Sequence, residues 1–178
     1  MAVRKIIRMG HPNLRKPAQP VPASAIGTEA FDRLVNDMVD TLHDYSGIGL
    51  AAPQINEPLR LAIVEISDVP TRYGEIDPLP QTVFINPTVE VLNPQSAGYW
   101  EGCLSVPGLR GFVERPQHVL IQYTDLAGQN QTMELEGFMA TAFQHEFDHL
   151  DGKLYIDRIT DPTKLVFEEE FARYWTQE

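Results

Sequence analysis

Two histidines, His145 and His149, stand four residues apart, a spacing that lets both bind one cation when the chain around them is helical. Residues with this spacing lie on the same face of an α-helix, about 6 Å apart. Glu146 lies about 100° further around such a helix, where its carboxylate can reach a water on the cation without being a ligand. Two histidines leave a metal site incomplete, so the pattern predicts a metal-binding helix that needs a third ligand from elsewhere.

The remaining residues predict mainly strands, with two further helices. An apolar stripe predicts a helix over residues 29–44, capped by Thr28, and Pro162 precedes a shorter helix predicted over residues 163–174. The metal helix is predicted from about 137 to 150. Four prolines among the first 22 residues predict an extended arm. Branched residues predict strands over residues 60–66, 82–85, 88–92, 118–124 and 131–136, with a glycine-rich loop over 47–54, a turn at 86–87 and a hairpin loop over 125–130.

The order of these elements predicts the fold class. The strands are grouped before the metal helix and do not alternate with helices, so we expect an α+β fold with mainly antiparallel sheets packed around a central metal-binding helix. A chain of 178 residues is long enough for one substantial core. We therefore expect residues 1–178 to form a single domain.

Composition narrows the classes of partner and the compartment. A net charge of −11 argues against a broad basic surface for nucleic acid, because such binding depends on neutralising phosphates. No apolar run approaches the roughly 20 residues that span a bilayer, so no membrane partner is expected. The first residues are too charged for a secretory signal. The expected location is therefore the cytoplasm, with a mature organellar enzyme as the alternative.

Three schemes can supply the third metal ligand. A histidine six residues after the pair, as in metzincin peptidases, is ruled out because Tyr155 occupies that position. A glutamate from a later helix, as in gluzincin peptidases, remains possible through the run 168–170, although three consecutive glutamates usually form a solvated helix face. The third scheme uses Cys103, the only cysteine of the chain. A thiolate beside two imidazoles suits a divalent first-row metal and leaves a fourth position for water.

These schemes leave three functions to compare. If Cys103 is the third ligand, the site is that of a metal hydrolase outside the two peptidase classes. If Glu168, Glu169 or Glu170 is the third ligand, the chain is a gluzincin-like zinc peptidase. A closed structural or sensory metal site, with Glu146 incidental, is the third possibility. The presence of Glu146 beside the histidine pair argues against the sensor, because a closed site needs no acid–base group.

Three motifs follow one another along the chain: Gly47-Ile48-Gly49-Leu50-Ala51-Ala52-Pro53-Gln54, Glu101-Gly102-Cys103-Leu104-Ser105 and Gln144-His145-Glu146-Phe147-Asp148-His149. In this order they make the chain closely resemble the peptide deformylase family, from about residue 5 to residue 160. The N-terminal segment 10–16 and the stretch 152–154 are also similar to that family.

The resemblance implies a role for each matching position. Cys103, His145 and His149 would hold the metal, with water in the fourth position. Glu146 would take a proton from that water and later deliver one to the leaving amine. The side-chain amide of Gln54 and the backbone N–H of Leu104 would stabilise the tetrahedral oxyanion. Asp148 is expected to form hydrogen bonds and not to bind the metal. The methionine pocket and the peptide-binding region beside it are expected to involve Ile48, Gly49, Tyr99, Trp100 and Arg110.

The same resemblance implies the substrate and the cofactor. The substrate would be the N-formyl group of formylmethionyl peptides and nascent chains, which yields formate and a free methionyl amine. One divalent ion per chain is expected, Fe²⁺ by resemblance, while the ligand set also accepts Zn²⁺, Ni²⁺ or Co²⁺. A transient contact with the ribosome is a further expectation. The short acidic C-terminus, however, lacks the basic tail that would favour such docking.

Overall fold

The computed structural model describes residues 2–66 and 78–176. Within them, the strands form one antiparallel sheet in the order β1-β2-β3-β4-β5, with β6 paired to β4. The helices are α1 (Glu29–Asp44), α2 (Gly137–Leu150) and α3 (Glu168–Tyr174). The strands are β1 (Gly49–Ala51), β2 (Leu61–Ile66), β3 (Leu79–Cys103), β4 (Val106–Thr124), β5 (Asn130–Glu136) and β6 (Leu165–Phe167).

Strand β2 is buried on both faces of the sheet, and its alternation separates two cores. Leu61 and Ile63 pack with the apolar stripe of α1. Ala62 and Val64 point the other way and pack with Phe143 and other residues of α2. Successive side chains of a strand point to opposite faces. Helices α1 and α2 therefore cover opposite sides of this part of the sheet.

Helix α2 lies at the centre of the fold, because 10 of its 14 residues are buried. Phe143 and Phe147 pack edge-on against each other and against Phe84 of β3. A helix that is buried on nearly all sides must satisfy its polar side chains internally. The histidines of α2 are therefore held inside the protein by an aromatic core on the other side of the helix.

A large bulge between β3 and β4 shapes the edge of the sheet nearest to α2. Glu101 pairs with Gly111, but Cys103, only two residues further, pairs with Val106. The additional residues of β4 bulge away from β3 at this point, and the segment from Leu109 to Gly111 pairs with β6. Bulges redirect side chains in this way. Here the bulge brings residues of β4 and α3 beside the end of β3 that carries Cys103.

Most of the predicted elements are confirmed. The α+β fold with antiparallel strands around a central helix is observed, and the bounds of α1 agree with the prediction. The Oγ1 atom of Thr28 accepts a hydrogen bond from the Phe31 N–H at 3.3 Å, as an N-cap does. Helix α2 ends before Gly152, whose φ of 72° is the left-handed conformation that a helix stop requires. No helix of the described residues is long and apolar enough to cross a membrane.

Four local predictions are wrong. The strands predicted over 82–85 and 88–92 are parts of one strand, β3, whose register shifts at Asn86 without ending it. The segment 47–54 contains β1 and a 3-10 turn and is not a continuous loop. The helix predicted over 163–174 is a 3-10 turn, then β6, then the short α3. The N-terminal arm includes a 3-10 turn at Pro12–Arg15. In the first three cases pairing with a distant segment outweighs local propensity. The Pro12–Arg15 turn is instead local, with His11 as its N-cap.

Candidate metal centre

Cys103 and the two histidines of α2 meet at one point. Cys103 ends β3, and its Sγ atom lies 3.3 Å from Nε2 of His149. One side-chain donor atom from each of Cys103, His145 and His149 lies within 4.8 Å of the others. Both histidines project from the same face of α2, as their four-residue spacing requires. The structure thus brings together the three residues of the cysteine scheme.

A buried carboxylate fixes the orientation of one imidazole. Oε2 of Glu101 lies 2.7 Å from Nδ1 of His145, and both side chains are buried. A carboxylate at Nδ1 favours the tautomer in which this nitrogen carries the proton, which leaves Nε2 as the donor available to a metal. Glu101 is two residues before Cys103 on β3 and therefore on the same face of the strand. The strand that carries the thiol also orients the histidine.

An arginine connects this carboxylate to the metal helix. Arg115 of β4 is only 3% exposed, and it donates to Oε1 and Oε2 of Glu101 at 2.7 and 3.0 Å. Its Nη1 also donates to Oδ2 of Asp148 at 2.8 Å. Asp148 accepts a further bond from Nη2 of Arg158 at 2.6 Å. The hydrogen-bonding expectation for Asp148 thus has definite partners, and the network links β3, β4 and α2.

The surroundings of Cys103 favour its thiolate. Burial opposes ionisation, but the adjacent imidazoles of His149 and His145 outweigh it and lower the pKa of the thiol to about 5. Burial by itself lowers the pKa of His145, but the neighbouring Cys103 and Glu101 raise it more. The pKa of His145 therefore lies well above its ordinary value. The lowered pKa of the thiol favours a negatively charged sulfur beside the two imidazoles.

The donor set fits a divalent metal ion. A thiolate and two imidazole nitrogens are the three protein ligands of a common open site, and the fourth position is left for water or substrate. The residues present therefore match a catalytic type of metal site.

Glu146 is placed beside the ligands and not among them. It follows His145 on α2 and is buried, and burial raises the pKa of its carboxyl group. Among the described residues, no group hydrogen-bonds to its Oε2. Gly49 of β1 lies directly against the carboxyl group, since a Cβ added at Gly49 would be 2.6 Å from Cδ of Glu146. A glycine at this position therefore makes room for the carboxylate.

The side-chain amide of Gln54 points its nitrogen to the metal ligands. Oε1 accepts a hydrogen bond from the Ala51 N–H at 2.8 Å, and because a backbone N–H can only donate, this contact settles which end is oxygen. Nε2 then lies 3.7 Å from Sγ of Cys103 and 3.4 Å from Oγ of Ser105. Leu104 lies in the turn directly after Cys103. Two potential hydrogen-bond donors therefore flank the thiol.

A cavity of about 730 Å³ opens onto these residues. Of the pocket residues predicted from the sequence, Ile48, Gly49 and Arg110 line it. Tyr99 and Trp100 are not among its lining residues. The ring of Tyr99 packs edge-on against Phe138, which does line the cavity, at a centroid distance of 5.5 Å.

Trp100 lies in a separate aromatic cluster. Because it neighbours Glu101 on β3, its side chain points to the opposite face of the strand. There it packs against Phe112, Phe171 and Trp175. The structure therefore places Trp100 behind the site, where it attaches α3 to the sheet.

The residues of the rival ligand schemes have other contacts. The ring of Tyr155 stacks on that of His145, with centroids 6.0 Å apart and an interplanar angle of 19°. Glu168 forms an ion pair with Arg110, and Glu170 lies 3.6 Å from Arg173. None of the three glutamates at positions 168–170 belongs to the group of potential ligands around the histidine pair in the described residues.

Sequence reasoning did not assign the roles of Glu101 and Arg115. Both are fully buried charged residues, and such residues are rarely buried without a partner. A strand pattern that places Glu101 on the same face as Cys103 could have identified the carboxylate. Arg115 gave no comparable signal, because its partners come from β3 and α2 and depend on the tertiary fold.

Most of the chain matches a known protein family. A sequence model of the family described as polypeptide deformylase matches residues 3–165. A peptide deformylase of Leptospira biflexa is 41% identical over 170 residues, which cover 96% of this chain and 95% of that protein. Peptide deformylase 2 of Pseudomonas syringae pv. tomato is 44% identical over 165 residues, covering 93% and 92% of the two chains.

A solved structure shares the fold. The Met-Ala-Ser-bound crystal structure of a class I type b peptide deformylase from Acinetobacter baumannii is similar with a TM-score of 0.81 and 34% identity. The alignment covers 88% of this chain and 98% of that one.

Proposed function

This chain belongs to the polypeptide deformylase family, and we propose which of its residues carry out the reaction of that family. The enzyme is a metal-dependent hydrolase that removes the N-formyl group from newly made polypeptides. The proposed metal ligands are Cys103, His145 and His149. The observation that carries this proposal is the 3.3 Å separation between Sγ of Cys103 and Nε2 of His149, on a helix face shared with His145.

Glu146 is the proposed general base and acid. A divalent ion at the three ligands would lower the pKa of a water and polarise the formyl carbonyl. Glu146 would accept a proton from the attacking water through its Oε2, which has no other partner among the described residues. It would then return a proton to the leaving amide nitrogen. Burial raises the pKa of this carboxyl group toward neutral pH, which suits a group that must both accept and donate a proton.

Gln54 and Leu104 are the proposed stabilisers of the oxyanion. Attack on the formyl carbon moves negative charge onto its oxygen, and fixed donors lower the barrier most when they need no reorganisation. The Gln54 amide is held in place by Ala51, so its Nε2 is available in one orientation. The N–H of Leu104 is proposed as the second donor, because this residue directly follows a ligand in a tight turn. The products are formate and a peptide with a free amino group.

The first residue of the substrate is proposed to be methionine, bound in the apolar part of the cavity. The A. baumannii relative is described with bound Met-Ala-Ser, which has the sequence of a deformylated product. Ile48 and Gly49 line the cavity beside Glu146 and are proposed to contact the methionyl residue. Tyr99 is proposed to support the methionine pocket by packing against Phe138, which lines the cavity. Trp100 is proposed to support it by attaching α3 to the sheet.

Fe²⁺ is the proposed native metal, with Zn²⁺, Ni²⁺ and Co²⁺ as ions that the ligand set accepts.

We place the reaction in the cytoplasm, since the substrates are nascent chains and the relatives described above are bacterial. A transient contact with the ribosome is proposed on the same ground. Residues 1–178 are proposed to act as one domain, since the metal centre combines residues of the sheet and of its central helix.

Metal analysis combined with a formate assay tests the proposal. Anaerobically purified protein should contain about one divalent ion per chain and release formate from formyl-Met-Ala-Ala amide. Cys103→Ala should abolish tight metal binding and formate release. Replacement of Glu168, Glu169 and Glu170 by alanine together should leave the metal content unchanged. The opposite pattern of metal loss would contradict the ligand assignment and favour the peptidase scheme.

A further inference from the structure

An ion pair lies in the wall of the active-site cavity. The Arg110 side chain from the β4 bulge is only 12% exposed, and its Nε donates to Oε1 of Glu168 at 3.0 Å, with Nη2 contacting the same oxygen. Both residues line the cavity that contains the metal ligands. Glu168 is the first residue of α3, so this wall of the cavity combines the bulge with the C-terminal helix.

The guanidinium group of Arg110 is held in a fixed position. A Cβ added at Gly102 would lie 2.0 Å from Nη1 of Arg110, so the guanidinium rests against the backbone of the residue that precedes Cys103. Strand β6 pairs with β4 at Arg110 itself, opposite Val166, only two residues before Glu168. The backbone pairing therefore keeps the carboxylate next to the arginine, close to the metal ligands.

This arrangement alters what the arginine offers to a peptide. An arginine with free donors would bind an acidic side chain by paired hydrogen bonds. Here Nε and Nη2 already contact Glu168, and Nη1 faces Gly102. The Glu168 side chain lines the cavity and is 50% exposed, while Arg110 is 12% exposed, so the carboxylate is the more accessible charge of the pair. An acidic substrate residue would gain no paired contact and would meet a like charge.

We propose that Glu168 is a specificity-determining residue, which makes the enzyme favour basic over acidic residues in the first two positions after the formylmethionine. This inference rests on the proposed function of the metal site. A peptide residue spans at most about 3.3–3.6 Å of extended chain, so only residues near the methionine can reach a group beside Gly102. Those two positions are therefore the ones that Glu168 discriminates.

The test compares peptides that differ only in charge. Formyl-Met-Lys-Ala and formyl-Met-Glu-Ala, and the pair with the charged residue in the third position, are used as C-terminal amides so that no free carboxylate competes. The ratio of kcat/KM for Lys over Glu peptides should be about fivefold or more at one of these positions, as expected for one partly exposed charge at low salt. Glu168→Gln should reduce the ratio to about one or below.

Glu169→Gln is the matched control. It removes the same charge from the neighbouring position of α3, but Glu169 does not line the cavity. Its Lys-to-Glu ratio should stay within about twofold of the unmodified enzyme, because a charge outside the cavity is screened by solvent. Arg8 also lines the cavity and is common to all three proteins, so its charge does not affect the comparison.

The results separate two failures. Equal Lys-to-Glu ratios in the unmodified enzyme and in Glu168→Gln, with full activity on formyl-Met-Ala-Ala amide, would overturn the role of Glu168 alone. The absence of formate release from the neutral peptide by every variant would overturn the proposed function, and the specificity proposal with it. A ratio that falls with Glu168→Gln and also with 0.5 M NaCl would establish an electrostatic origin.

Discussion

Oε2 of Glu101 lies 2.7 Å from Nδ1 of His145, and this contact joins the metal centre to a buried arginine–carboxylate network. Glu101 is bound on its other side by Arg115, which also binds Asp148 on the metal helix. The ligand positions on β3 and α2 are thus connected by hydrogen bonds as well as by the metal they would share. The geometry of the site therefore depends on residues that touch neither metal nor substrate.

Glu101→Gln should weaken metal binding. Loss of the carboxylate makes His145 a less basic ligand and a less firmly oriented one, and changes of this kind cost about 10–100-fold in metal affinity. Competition with a coloured chelator for Co²⁺ or Zn²⁺ measures the effect. Glu114→Gln removes an exposed carboxylate from β4 and should leave affinity unchanged. Equal affinity in both variants would contradict the orienting role of Glu101.

Arg115→Met should strongly destabilise the protein. The substitution leaves Glu101 and Asp148 buried with fewer partners, and breaking a buried ion pair on one side costs about 3–5 kcal/mol. Urea unfolding of the metal-free protein measures the loss. Arg33→Met is the control, because Arg33 forms an exposed pair with Glu29 on α1 and should change the free energy of unfolding by less than about 1 kcal/mol. A similar loss in both variants would argue against the buried network.

The contribution of Asp148 to stability should disappear in acid. Burial raises the pKa of this carboxyl group, but bonds from Arg158 and Arg115 lower it more, to a value below its ordinary 3.8. A carboxyl group with a lowered pKa in the folded state stabilises that state above its unfolded pKa, and this stabilisation is lost as the pH falls through the folded pKa. The difference in unfolding free energy between unmodified protein and Asp148→Asn should therefore be constant near pH 7.

The same difference should decrease below about pH 4, which urea unfolding at several pH values can measure. Both proteins are compared without metal, so that ligand protonation affects them equally. A difference that grew on acidification would contradict the assigned direction of the pKa shift.

Gly49→Ala should impair the reaction while leaving the metal in place. The added methyl group would lie 2.6 Å from the Glu146 carboxyl carbon, so this side chain must move away from the position in which it is proposed to act. A misplaced acid–base group costs about 10²–10⁴-fold in rate. Formate release and metal content are measured on the same sample. An active Gly49→Ala enzyme would show that Glu146 does not need its observed position.

The sequence predicted the elements that depend on local spacing. The four-residue spacing of His145 and His149 predicted a helix, and α2 has the expected bounds. The Thr28 cap and the apolar stripe defined α1 in the same way. The motif around Cys103 indicates a ligand candidate from the sequence alone. These features are encoded within a few residues of each other and are therefore visible without the tertiary fold.

The features that depend on distant contacts were not predicted correctly. Asn86-Pro87 is a turn-prone pair, yet β3 continues through it because β2 and β4 pair on either side. Strand β6 forms only by pairing with the β4 bulge, so local helical propensity gave the wrong structure for residues 165–167. The same bulge brings Arg110 to Glu168, which the sequence presented only as part of an acidic helix face.

The most direct test of the assigned chemistry is formate release by Glu146→Gln together with its metal content. Glutamine preserves the size of the side chain but cannot accept and return the proton. We expect about one metal ion per chain, as in the unmodified enzyme, and a loss of kcat/KM for formyl-Met-Ala-Ala amide of about 10²–10⁴-fold or more. Full activity in metal-loaded Glu146→Gln would show that Glu146 is not the general base and acid of the reaction.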